Sequence, residues 1–354
     1  MKFIHVADVH LGMEPDKGMP WSEIRKEEIK NSFFSLLEIC NQEEVDFLFV
    51  AGDLFHNQPL VRQLKEINYG FSKLIKTKVI IIAGNHDYIS KRSHYIDFPW
   101  CEQVSMLDNE ELGSVYFPEN NTRIYGFSYH TRDILEARYQ NIYPEDKNCI
   151  NILLGHGGDE KNIPIDFSNL KILGYDYIAL GHIHKHEFIT EKIAYAGSLE
   201  PLNRNETGEH GFIIGKIEKN CKEVQSEIKF VPYGRREYIH LEFRVEATMT
   251  NGEILDSLKN TLISFGTENI YKIILKGFHD SENEIDTNSL YHIGNVIQVV
   301  DETLPDYDFE ELYYNNKDNI IGMYIDAIKN TKEEDEILEK ALYYGIEALL
   351  KAKE

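Results

Sequence analysis

Cysteine is scarce in this chain of 354 residues: Cys40, Cys101, Cys149 and Cys221 stand far apart, with no CxxC pair among them. That spacing excludes a disulfide framework and a thiolate zinc clip, and it suits a reduced environment. Long apolar runs are missing too, since none approaches the roughly 20 residues that a membrane-spanning helix needs. No signal-like apolar core precedes the strand-like opening "MKFIHVADVH", so a soluble cytoplasmic protein is expected. Positive charge is the third shortage: 37 Lys and Arg face 60 Asp and Glu, a net charge of −23 with histidine neutral. Such a chain repels nucleic acid at long range, because phosphate binding relies on cationic groups displacing counterions. Contact with a polyanion then requires a strong local positive source, and bound divalent metals would be one.

What is present is ordinary globular material, 42% hydrophobic and 27% charged, enough for a sizeable core. To about residue 215, short apolar runs alternate with amphipathic stretches. The runs are "FIHVA" at 3–7, "FLFVA" at 47–51, "VIIIA" at 79–83, "INILL" at 150–154 and "YIAL" at 177–180. They read as buried strands of an α/β sandwich, with helices at 24–42 and 61–76 between them. "AYAGSLEPL" and "HGFIIGKIE" read as two further strands. "VPYGRREY" at 231–238 breaks the pattern with proline and glycine and reads as a hinge. Beyond it, "YIHLEFRVE", "GEILDSLKNTLISFG", "NIYKIILKGF" and "NVIQVVDE" predict a small strand-helix-strand-strand unit. An acidic, aromatic stretch and two amphipathic helices follow. The expected segments are 1–232, an α+β capping domain at 233–305, and a helical segment at 306–354.

Each of the five runs stops at a polar signature. "ADVH" offers Asp8 and His10, "AGDLFH" Asp53 and His56, "AGNHD" Asn85, His86 and Asp87, "GHGGD" His156, and "ALGHIHKH" His182, His184 and His186. Carboxyl ends of strands are where ligands gather in α/β sheets, so these residues are expected at one rim. Imidazole and carboxylate donors without thiolates suit Mn, Fe or Zn better than calcium. Asp8, His10, Asp53, Asn85, His156, His182 and His184 exceed what one small cation takes, so two divalent ions are expected, bridged by Asp53 on its middle strand.

The pattern resembles the calcineurin-like metallophosphoesterase superfamily over about the first 215 residues, which implies a four-layer α-β-β-α sandwich. The resemblance assigns Asp8, His10 and His184 to one metal, Asn85, His156 and His182 to the other, and Asp53 to the bridge. It makes His86 the catalytic acid, with Asp87 orienting its imidazole. "GDLFHNQP" lacks the arginine of the family's protein phosphatases. His56, the nearby proline and "AGSLEP" at 196–201 are instead similar to its SbcD and Mre-type DNA-repair nuclease branch, where the matching histidine contacts the scissile phosphate. That branch implies DNA as substrate, an SbcC-like ABC-type ATPase as partner, and a homodimer through the 61–76 helix or the segment around Phe98 and Trp100; the amphipathic helices after 317 read as a docking site for that partner or as a helical cover packed on the cap domain.

His186 reads as a neighbour of the ligands or a surface residue. The "KRSH" cluster at 91–94, Arg123, Arg132 and Arg138 read as DNA contacts or solvated surface. Two rival readings stand beside the nuclease: a phosphodiesterase or phosphomonoesterase acting on a small molecule, and a non-enzymatic scaffold.

Overall fold

A computed structural model of the chain describes residues 1–220, 223–331 and 335–352, which leaves Cys221 and the last two residues of the expected C-terminal helix outside the described residues. The chain divides into two compact units, Met1–Tyr238 and Ile239–Glu354. The first unit opens with β1 (Lys2–Val6), α1 (Ser22–Gln42), β2 (Phe47–Ala51), α2 (Val61–Phe71) and β3 (Lys78–Ile82). Then come β4 (Val104–Met106), β5 (Gly113–Phe117), β6 (Thr122–Gly126), β7 (Ile150–His156), α3 (Phe167–Leu170) and β8 (Tyr177–Gly181). It closes with β9 (Glu187–Thr190), β10 (Ile193–Tyr195), β11 (Gly211–Lys219) and β12 (Val224–Pro232).

Two six-stranded mixed sheets result, ordered β12-β11-β1-β2-β3-β4 and β5-β6-β7-β8-β10-β9. They stack because their strands are apolar on both faces. In β1, Ile4 and Val6 turn toward α1 and α2, into a core with Phe33, Leu36, Leu64 and Phe71. Phe3, and Ala7 just beyond β1, turn the other way, into a second core with Phe47, Phe49, Ile152, Leu154 and Tyr177 between the sheets. The period of two along a strand makes this division. The outer face of the second sheet, with Tyr125, Leu153 and Ile178, is covered by the single turn of α3 and by loop residues such as Tyr139 and Ile163. The fourth layer is therefore thin.

Two expectations change. Of "AYAGSLEPL" only Ala194 and Tyr195 are strand, as the end of β10; Gly197 at φ +75° turns the chain, and Glu200 enters a buried ion pair with Arg25 of α1 at 3.3 Å. The stretch 231–238 is not a loose hinge. Arg236 grips Glu28 of α1 at 2.7 Å, the Arg235 amide donates to Glu200 at 3.0 Å, and Tyr238 donates to Asp16 at 2.7 Å. Short strands such as β4, β5 and β9 also escape the sequence pattern, since their partly exposed residues show no apolar run.

The second unit contains β13 (Tyr238–Val245), α4 (Asn251–Phe265), β14 (Ile270–Asp280), α5 (Thr287–Leu290), β15 (Val296–Asp301) and β16 (Leu304–Asp306). Strand order is β13-β14-β15, with β16 pairing β14. Ile254, Leu258 and Leu262 of α4 pack with Tyr271, Ile273 and Leu275. Thr250 and Glu253 form a capping box that starts α4. The helices α6 (Phe309–Asn315), α7 (Ile320–Lys329) and α8 (Asp335–Lys351) belong to this same unit. No helix of the described residues is long and apolar enough to cross a membrane.

Candidate metal centre

Strands β1, β2 and β3 of one sheet and β7 and β8 of the other end at a common edge, and their following residues turn inward. The turns are strained: Asp8, His10 and Asp53 have φ of 51° and His182 has φ of 96°. Left-handed backbone at non-glycine residues costs energy and clusters at functional sites. Two glycines make the close approach possible. A side chain on Gly52 would strike the His156 ring, and one on Gly84 would strike the Asp53 carboxylate and His156 Nε2.

At the centre, Asp53 Oδ1 accepts from the His86 amide at 2.9 Å, while Oδ2 lies 3.6 Å from His10 Nε2 and 3.6 Å from His156 Nε2. Asp53 thus stands between two donor groups. On one side His10 Nε2 faces His184 Nε2 at 3.2 Å, with Asp8 Oδ1 3.9 Å from His184. The Asp8 carboxylate also accepts from the His182 amide at 2.9 Å. On the other side Asn85 Oδ1 faces His156 Nε2 at 3.0 Å and His182 Nδ1 at 3.2 Å. All seven sequence-predicted ligands therefore meet.

This donor set sets acceptor against acceptor. His156 Nδ1 donates to the Ala51 carbonyl at 2.9 Å, so a neutral ring presents a lone pair at Nε2. His184 Nδ1 donates to Glu206 Oε1 at 2.8 Å, and His182 Nε2 to Asp159 Oδ2 at 2.7 Å. Their inner nitrogens are lone pairs by the same logic. Converging lone pairs and carboxylates repel unless cations or protons lie between them, so the residues fit divalent ions. Burial opposes protonation of His156, yet Asp53 and Asp8 outweigh it and push its pKa up to about 9. At His184 burial is likewise overcome, by Glu206 and then Asp8, and the pKa rises to about 9. Burial also works against ionisation of Asp53, but His156, His10 and His86 hold its carboxyl well below the usual carboxylate range.

Beside this cage lie two more imidazoles. His56 and His86 stack with centroids 5.2 Å apart, and His56 Nδ1 is 3.3 Å from His10 Nδ1. His86 Nδ1 donates to the His56 carbonyl at 3.1 Å. That contact corrects one expectation, because the group orienting the His86 ring is this carbonyl rather than Asp87. The Asp87 carboxylate instead accepts from Tyr95 Oη at 2.7 Å, the Gly84 amide at 2.8 Å and the Phe55 amide at 3.2 Å. It ties the loop after β3 to the loop after β2. Burial first, and then the Asp53 charge, push its pKa up to about 6.

Other candidates lie apart from the cage. The His186 ring stacks on Phe230 at 3.7 Å, so the third imidazole of "HIHKH" packs against a strand. Arg123 pairs with Glu145 at 3.3 Å and Arg138 with Glu110 at 3.5 Å. Lys91, Arg92, His94 and Arg132 are not buried. Phe98 and Trp100 pack on the core under α2, which leaves Val61 and Tyr69 as exposed apolar residues of that helix. Sequence reasoning missed Asp159 and Glu206. The first stands in "GHGGD", three residues after His156, but a lone acid in a polar loop carries no signal of its own. Tyr129 and Tyr139 were also missed, and both donate to the His156 carbonyl at 3.1 Å.

A family model for calcineurin-like phosphoesterases matches residues 1–186. The chain is 30% identical over 235 residues to the uncharacterized metallophosphoesterase YhaO of Bacillus subtilis (strain 168), covering 60% of this chain and 57% of that one. It is 29% identical over 234 residues to the DNA double-strand break repair protein Mre11 of Archaeoglobus fulgidus, covering 58% and 52%. It is 23% identical over 265 residues to the SbcD subunit of the nuclease SbcCD of Escherichia coli (strain K12), covering 60% and 64%. The chain thus spans somewhat more than half the length of these curated relatives.

Proposed function

The chain belongs to the calcineurin-like phosphoesterase family, and from that premise we propose that it is a two-metal phosphodiester hydrolase acting on DNA, a nuclease of the SbcD and Mre type that works in DNA repair with an SbcC-like ATPase. The observation that carries the reading is the imidazole pair His56 and His86, stacked beside the cage with ring centroids 5.2 Å apart, in a chain whose second motif, "GDLFHNQP", lacks the arginine of the family's protein phosphatases. Similarity to Mre11 and to the SbcCD nuclease supports the same branch.

In this reading Asp8, His10, Asp53 and His184 would hold one cation, and Asp53, Asn85, His156 and His182 the other. Manganese suits the mixed oxygen and nitrogen donors. When bound, the two ions supply Lewis acidity toward a phosphoryl oxygen and lower the pKa of water to near neutrality. The chain's own residues do the rest. His86 Nδ1 is already committed to a carbonyl, so a neutral ring offers Nε2 as acceptor and the imidazolium offers Nε2–H as donor. The imidazolium form protonates the departing sugar oxygen. His56, half-buried against His10 and His86, holds the phosphate. Asp87 keeps both histidine loops in register through Phe55 and Gly84.

The proposed capping domain, 233–305, is followed by a helical segment, 306–354. Its α7 and α8 expose Ile320, Met323 and Tyr344, which supports docking of the ATPase there.

The test is Mn2+-dependent hydrolysis of linear double-stranded DNA, single-stranded DNA and bis-p-nitrophenyl phosphate. DNA is expected to be degraded, with activity abolished by EDTA and reduced at least about 100-fold by His86→Ala, which still takes up two metal equivalents. Hydrolysis of the small diester alone, unchanged by adding the ATPase, would assign a small-molecule substrate instead.

A further inference from the structure

The two histidines after β8 differ in how they face the centre. His184 turns Nε2 inward, 3.2 Å from His10 Nε2, and His182 turns Nδ1 inward, 3.2 Å from Asn85 Oδ1. A histidine can present either nitrogen after a half-turn of its ring, so something must select. In each case the outward nitrogen meets a carboxylate: Glu206 Oε1 at 2.8 Å for His184 and Asp159 Oδ2 at 2.7 Å for His182.

Both carboxylates are themselves held in place. Glu206 accepts from the Leu202 amide at 2.7 Å and from the Asn203 side chain. Asp159 accepts from the Lys161 amide at 2.7 Å and the Asn162 amide at 2.8 Å. Neither residue reaches the centre, and they come from separate segments, one after β7 and one between β10 and β11. A fixed carboxylate behind an imidazole sets its tautomer and raises the basicity of the inner nitrogen.

We infer that Glu206 and Asp159 are positioning residues, each acting through one histidine, so that the affinity of each of the two cation sites is tuned by its own carboxylate. The inference rests on the two-metal reading above and deepens it. Glu206 acts on the site that shares Asp8 and His10, and Asp159 on the site that shares Asn85 and His156. Replacement by the amide removes charge while keeping an acceptor, and replacement by alanine removes both. The alanine variant therefore loses ring selection as well as basicity.

The experiment is calorimetric titration of the full-length, metal-free chain with Mn2+, with circular dichroism to verify the fold. Two equivalents are expected for the unsubstituted chain. Glu206→Gln weakens one of them about 10-fold and Glu206→Ala up to about 100-fold, and the Asp159 variants weaken the other by similar factors. In a His184→Ala background, Glu206→Ala adds no further loss, whereas Asp159→Ala still weakens its own site. A purely structural role would make Glu206→Ala cost as much in the His184→Ala background as in the unsubstituted chain. Such an additive loss for Glu206→Ala, or unchanged affinities in the single variants, overturns the inference. Either result leaves the hydrolytic reading standing, because that reading is decided by DNA turnover. Absence of any Mn2+ uptake by the unsubstituted chain overturns both.

Discussion

His5 is a fully buried histidine outside the cage, on β1 between the two sheets, with Nδ1 2.9 Å from Tyr177 Oη. Burial pushes its pKa down to about 3 from 6.5. The folded chain leaves it neutral across that interval, while the unfolded chain takes up a proton near 6.5. Stability is therefore lost as pH falls from about 6.5 toward 3, by something on the order of 2 kcal/mol at pH 5. The paired replacement His5→Leu/Tyr177→Phe removes both polar groups and should flatten this part of the acid profile. Urea unfolding at pH 7 and pH 5 in EDTA measures it, and an equal acid loss in the paired variant would show that His5 is not the source. At this scale the seven candidate ligands were legible because aspartate and histidine directly after an apolar run are conspicuous. Asp159 and Glu206 were not, since their meaning lies in which ring nitrogen they touch. The role expected of Asp87 went astray for the same reason: adjacency to His86 in sequence does not decide where a carboxylate points.

Helix α1 shows what holds an element in place once burial has brought it there. Its apolar side, Ile29, Phe33, Leu36 and Leu37, packs on the first sheet. Its N-terminal end is fastened by polar contacts instead. Arg25, fully buried, donates to Glu28 at 2.9 Å, to Glu200 at 3.3 Å and to the Pro201 carbonyl at 2.7 Å. Ser32 adds a bond to Glu200 at 2.6 Å. Removing one partner of a buried ion pair leaves the other charge stranded, so Arg25→Ala should cost about 3 to 5 kcal/mol in chemical unfolding. A loss below about 1 kcal/mol would mean that desolvation had already cancelled the pair. The apolar half of this arrangement was readable as helical periodicity. The polar half was not, because Glu200 lies 175 residues from Arg25 in a stretch that reads as strand.

For the molecule as a whole, a net charge of −23 and a cage of facing acceptors make cations part of its stability. Ligands that bind only the folded state stabilise it by mass action, about 2.7 kcal/mol at 100 times the dissociation constant. Mn2+ should therefore raise the thermal midpoint by roughly 5 to 10 °C over EDTA, and Ca2+ at equal concentration by far less, given the imidazole donors. Scanning fluorimetry reads this directly, and equal shifts for the two ions would contradict the donor-set argument. The sequence by itself determined the five buried strands, the small strand-helix-strand-strand unit and the residue types of the centre, because apolar period and side-chain chemistry are local properties. Tertiary structure alone decided that the strand ends belong to two sheets facing one edge, that 231–238 is pinned to α1, and which nitrogen of each histidine turns inward. Those outcomes depend on contacts between segments far apart in the chain, where packing geometry and charge pairing, rather than local pattern, set the lowest free energy.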